Sequence, residues 1–119
     1  VFKYYPGHGK GIDAMEMMWC ANEQEKFWEM HDLLFANQKL MEAGDVAGLK
    51  TVALGLSSLD KDKFETCVAD DKYKAQYDAD TQEGQAAGVE GTPAFFINGK
   101  LVSGAQPFSA LKQAIEAEL

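Results

Sequence analysis

Cysteine is scarce in this 119-residue chain: Cys20 and Cys67 are the only two, and they lie far apart. No Cys-x-x-Cys pair occurs, so these residues lack the motif that places an activated thiolate at a helix N-terminus. The two histidines, His8 and His31, share no zinc-type spacing with the cysteines, which argues against a metal site. Basic residues are also few: 11 Lys and Arg face 19 Asp and Glu, for a formal net charge of −8. Nucleic acid demands the opposite sign, so it is excluded as a partner. The acidic residues are spread along the chain and read as a solvated surface; no calcium-loop pattern gathers them. No apolar run approaches the roughly 20 residues of a membrane span. Nucleophile-elbow, P-loop and dinucleotide-binding motifs are missing too, which leaves no support for those enzyme classes or for a bound cofactor. There is no initiator methionine and no signal-peptide pattern at "VFKYYPGHGK". That opening reads as the middle of a fold, so a trimmed or processed chain is expected.

What is present suits one globular domain. Hydrophobic residues make up 46% and aromatics 11%, enough to build a core. "VFKYY" has the β-branched and aromatic composition of a short strand, stopped by Pro6 and Gly7. "GHGKG" reads as a flexible connector. Asp13 and Glu16 form a D-x-x-E start, close to a capping box, for a helix with Met15, Met18 and Trp19 on one stripe and Cys20 beside it. The next run, "KFWEMHDLLFANQ", carries Phe27, Met30 and Leu34 on one line and Trp28 and Phe35 on another, a pattern expected to be buried on more than one side. Asp45 is placed to cap a short helix with Val46, Leu49, Val52 and Ala53 in register. Asp60 opens another helix bearing Phe64, Cys67 and Val68. A polar helix follows, with Tyr73 and Tyr77 one turn apart. "AFFI" and "KLVS" flank Asn98-Gly99, the two-residue hairpin signature, and Pro107 stands near the start of a last helix. The predicted order is one strand, about five helices, a hairpin and a helix.

Two blocks of this pattern resemble the DsbA family of thioredoxin-fold thiol–disulfide oxidoreductases. "CANEQEKFWEMHDLLFANQ" (Cys20–Gln38) is similar to the segment that opens that family's helical insertion. "GVEGTPAFFINGKLVSGAQPFSALKQAIEAEL" (Gly88–Leu119) resembles its closing strand–hairpin–helix unit. The resemblance implies a truncated thioredoxin-like α/β fold with a sheet of about three strands. It would be a single domain over 1–119, incomplete at the N-terminus, with the helical insertion at about 13–87 and the closing unit at about 88–119. It implies a cis bond before Pro93, and backbone groups of Thr92 offered to an extended peptide or protein client. The family's catalytic Cys-x-x-Cys falls in a segment these residues do not contain, so the chain by itself is expected to be redox-inactive. It is either a free-standing binding or assembly module derived from the family or the C-terminal part of an active oxidoreductase. The resemblance also implies a periplasmic or otherwise extracytoplasmic setting.

Three readings stand for Cys20 and Cys67: a structural disulfide between two helices, two buried free thiols, or a redox-active pair. The family's oxidising compartments favour the first. His31, between Phe27 and Phe35 at helical spacing, reads as a partly buried histidine with a backbone or carboxylate partner. His8 could bind metal only with distant partners. Without the catalytic strand, "VFKYY" and "AFFI" would keep unpaired edges, so a homodimer is expected, with Phe2, Tyr4, Phe95 and Phe96 at or near its interface.

Overall fold

The computed structural model describes residues 1–6 and 11–119; the predicted connector and His8 lie outside the described residues. Seven helices and one hairpin follow one another: α1 (Ile12–Asn22), α2 (Phe27–Ala36), α3 (Gln38–Ala43), α4 (Val46–Ala53), α5 (Lys61–Ala69), α6 (Lys74–Ala86), β1 (Ala94–Ile97), β2 (Lys100–Ser103) and α7 (Phe108–Glu116). None of the described helices is long and apolar enough to cross a membrane.

Helix α1 is the hub. Every residue from Ala14 to Met18 is buried, as are Cys20 and Ala21, because α2, α4 and α5 pack around it. Burial of large side chains such as Met17, Met30, Leu49 and Phe64 contributes about 1.5–3 kcal/mol each. Helix α2 sends only one of its two apolar lines inward. Phe27, Met30 and Leu34 are buried, whereas Trp28 and Phe35 are 62% and 58% exposed. The expectation of burial on several sides is thereby corrected: the second line stays at the surface, in ring contacts such as Phe2–Trp28 at 6.2 Å and His31–Phe35 at 4.6 Å.

The aspartate caps form where the pattern places them. Asp45 accepts from the Gly48 N–H at 2.8 Å and Asp60 from the Lys63 N–H at 3.1 Å. The D-x-x-E start of α1 is different. Gly11 occupies the cap position with no side-chain bond, and Glu16 is drawn inward to other partners. The polar run after Phe35 also breaks at Asn37, whose side-chain amide donates to the Leu33 carbonyl at 2.9 Å, and restarts as α3.

Residues 1–5 form no strand, and among the described residues the sheet has two strands rather than about three. The physical reason lies in α6. The Tyr4 N–H, which a strand would give to a neighbour, is donated to the Asp80 carboxylate at 3.2 Å. Lys3 pairs with Asp80 and Glu83, and the Tyr5 hydroxyl donates to the Val89 carbonyl at 2.8 Å. Tyr4 itself is 6% exposed, packed on Tyr77, and so is corrected from interface residue to core residue.

Gly84 makes this docking fit. A Cβ there would lie 2.7 Å from Tyr5 Cδ2, inside any tolerable contact. Gly84→Ala is therefore expected to destabilise the chain, although alanine in a helix interior is ordinarily worth about 1 kcal/mol over glycine. In a Tyr5→Ala background the same change should turn stabilising. Urea titration of the four chains checks this reversal, and the same sign in both backgrounds would refute the clash.

The C-terminal unit is built differently. β1 and β2 pair antiparallel, Ala94 with Ser103 through Ile97 with Lys100. Asn98 and Gly99 both take positive φ, 47° and 80°, as the two-residue turn requires. No residue from 90 to 119 is buried, so the backbone ladder and its turn hold this unit more than side-chain packing does.

Candidate functional site: the proline loop and the cysteine pair

The Thr92–Pro93 peptide bond is cis, and both residues are exposed at the entrance to β1. The Pro93 carbonyl accepts from the Gly104 N–H at 2.9 Å, which extends the hairpin by one rung. Thr92 has no hydrogen bond among the described residues. In an antiparallel ladder closed by a two-residue turn, Ile97 and Lys100 exchange bonds, and so do Phe95 and Val102. The backbone groups of Ala94 and Phe96 therefore face the other edge of β1, which is unpaired among the described residues.

Cys20 and Cys67 form a disulfide between α1 and α5, with Cα atoms 5.8 Å apart. Gln24 helps to set this spacing. Its side-chain amide donates to the Asp60 carbonyl and accepts from the Asp60 N–H, pinning the start of α5 to the turn after α1. Cys20 is buried beneath α5, and Cys67 lines a surface groove of about 560 Å³ with Glu23, Asp62, Lys63, Thr66, Asp70 and Lys72. A second groove, about 300 Å³, lies among Phe2, Trp19, Asn22, Glu25, Phe27 and Trp28. Neither groove includes Thr92 or Pro93.

One residue acquires a role that no sequence pattern announces. Glu16, 4% exposed, accepts hydrogen bonds from the Tyr77 hydroxyl and, at 3.4 Å, the Tyr73 N–H. Its Oε1 also lies 3.5 Å from Cys20 Sγ, a sulfur with no proton to donate while the disulfide stands. Burial raises the Tyr77 phenol far above its usual value, reinforced by the hydrogen bond to Glu16. Burial likewise raises Tyr73 to about 12, helped by its hydroxyl's bond to Glu23. Both phenols stay protonated donors at neutral pH. Glu16, Cys20 and Cys67 are close enough to hold a metal, but the sulfur–sulfur bond leaves no thiolate to ligate one. His31 pairs through Nδ1 with Asp32 at 2.9 Å. The only sequence hint of Glu16's role is its spacing one turn before Cys20 in a run of buried residues; its tyrosine partners lie about 60 positions away.

The sequence model of the thioredoxin family matches residues 1–117. Among curated proteins, the Na(+)/H(+) antiporter NhaA 3 of Salinispora tropica is 37% identical over 102 residues, 86% of this chain and 15% of that protein. The Na(+)/H(+) antiporter NhaA 1 of Salinispora arenicola is 34% identical over the same shares. Disulfide bond formation protein D of Bacillus subtilis is 25% identical over 118 residues, 94% of this chain and 53% of that protein. The chain thus spans about half of the Bacillus protein and a much smaller part of the antiporters. No solved structure matches it.

Proposed function

From the premise that the chain belongs to the thioredoxin family and is related to its DsbA-type oxidoreductases, we propose that these residues are the client-holding part of a thiol–disulfide oxidoreductase. They carry no redox turnover of their own. The observation behind this reading is Thr92, exposed at the entrance to β1 and without a hydrogen bond among the described residues. An extended client laid along the loop would exchange backbone hydrogen bonds with it, as in strand addition. Turnover needs a reachable thiolate, and both cysteines are consumed in a buried disulfide. That bridge fits an extracytoplasmic, oxidising compartment. Ion transport, named for the antiporter relatives, is not carried over to a stretch that aligns with 15% of them.

The test uses backbone chemistry. Thr92→Pro removes the N–H and is expected to weaken binding of an extended cysteine-containing peptide by roughly 2–10-fold, the worth of one hydrogen bond. Thr92→Val keeps the backbone and should bind like the parent. Equal affinity in all three chains would overturn the reading. So would insulin reduction catalysed by the 119 residues alone.

A second reading, self-association, rests on the β1 edge, unpaired among the described residues, and on Phe95 and Phe96, both partly exposed on the hairpin. Two copies meeting edge to edge would satisfy both and could not propagate. Light scattering is expected to give twice the chain mass at tens of micromolar; the single-chain mass would remove this reading.

A further inference from the structure

The two halves of the buried disulfide are covered unequally, and the buried carboxylate of Glu16 touches the more deeply covered one. Cys67 is 5% exposed and lines the surface groove, whereas Cys20 is 1% exposed and lines neither groove. Of the two cysteines, Cys67 is therefore the one that a thiolate entering the groove reaches first. Attack there forms a mixed disulfide at Cys67, breaks the Cys20–Cys67 bond and leaves its electron pair on Cys20. That leaving thiolate must form 3.5 Å from Glu16 Oε1, inside the core. No lysine or arginine pairs with Glu16 among the described residues; its partners are the Tyr77 hydroxyl and the Tyr73 N–H. The two lysines that line the groove beside Cys67 are themselves engaged, Lys72 with Glu23 and Lys63 with Asp60. Two like charges at this distance in a poorly hydrated site repel strongly, so the leaving group is disfavoured at the one sulfur that can leave.

We propose that Glu16 is a guard for the Cys20–Cys67 disulfide, holding it oxidised against thiol reductants by opposing the Cys20 thiolate. With a small dithiol as reductant the balance is complete. Its first thiolate attacks Cys67, and its second displaces Cys67 from the mixed disulfide. The dithiol leaves as a cyclic disulfide, and the two cysteines take up two electrons and two protons.

The experiment follows reduction of the folded 119-residue chain by dithiothreitol, quenched with an alkylating agent and read by mass. Glu16→Gln keeps an oxygen acceptor for Tyr77 and Tyr73 but removes the charge. It should be reduced at least about tenfold faster, the consequence of relieving one close like-charge contact. Tyr77→Phe perturbs the same packing and leaves the carboxylate in place, so it should be reduced no faster than the parent. Equal acceleration in both variants would assign the effect to a loosened core and overturn the proposal, as would an unchanged rate in Glu16→Gln. A measurement on the parent chain needs no variant to fold: limited glutathione, followed by peptide mapping, should trap the adduct on Cys67. An adduct on Cys20 would refute the direction of attack.

Discussion

Replacing both cysteines by alanine is expected to cost the chain about 4 kcal/mol of stability, from a loop closed across a sequence separation of 47. The enclosed loop contains α2, α3 and α4, so the bridge restricts the unfolded chain through much of its helical half. A domain of this size has only about 5–15 kcal/mol in total. The double variant should therefore sit near the edge of folding at ambient temperature. Alanine is the informative choice, because a serine hydroxyl at position 20 could bond to Glu16 and mask part of the loss. Urea titration of the oxidised parent and the variant measures it. A difference under about 1 kcal/mol would mean that the unfolded chain keeps α1 and α5 close without the bond.

Phe64→Ala is the second large effect. Phe64 is fully buried on α5, one turn before Cys67. Removing a buried phenyl ring costs about 3–5 kcal/mol, and the spread depends on how far the surroundings collapse into the space. Here collapse is restrained: the disulfide fixes α1 and α5, and Gln24 holds the first turn of α5 from the other end. The loss should lie toward the upper end of that range. In the cysteine-free background the helices are free to close, so the same substitution should cost less. A four-chain cycle tests this coupling, and strict additivity would show that the bridge does not hold the cavity open.

Much of this architecture is legible where a single residue's chemistry decides a local outcome. Asp45 and Asp60 stand before apolar periodic runs and become side-chain caps. Asn98-Gly99 between "AFFI" and "KLVS" becomes a hairpin turn. The misreadings share a cause of another kind, a partner distant in sequence. "VFKYY" has strand composition, yet Asp80 takes the backbone N–H that would have joined a ladder. Glu16 sits at the third position after a plausible cap, yet Tyr73 and Tyr77 recruit it into the core. Trp28 and Phe35 fall on a regular helical line, and periodicity alone does not say which of two lines faces inward. Thr92 and Pro93 were singled out by resemblance, since nothing in their own chemistry distinguishes them from an ordinary turn.

The docking of residues 3–5 on α6 and Val89 also has a timetable. The Tyr5–Val89 bond joins groups 84 positions apart, and Tyr4–Asp80 spans 76. Helices α1 and α2, by contrast, meet across a turn of a few residues. A ribosome adding about 5–20 residues per second makes Val89 some 4–17 s after Tyr5. For most of that interval Tyr4 lacks Tyr77 and Asp80, its partners in the finished fold. During biosynthesis the hydrogen bonds of Tyr4 and Tyr5 thus wait for α6 and Val89 to be made.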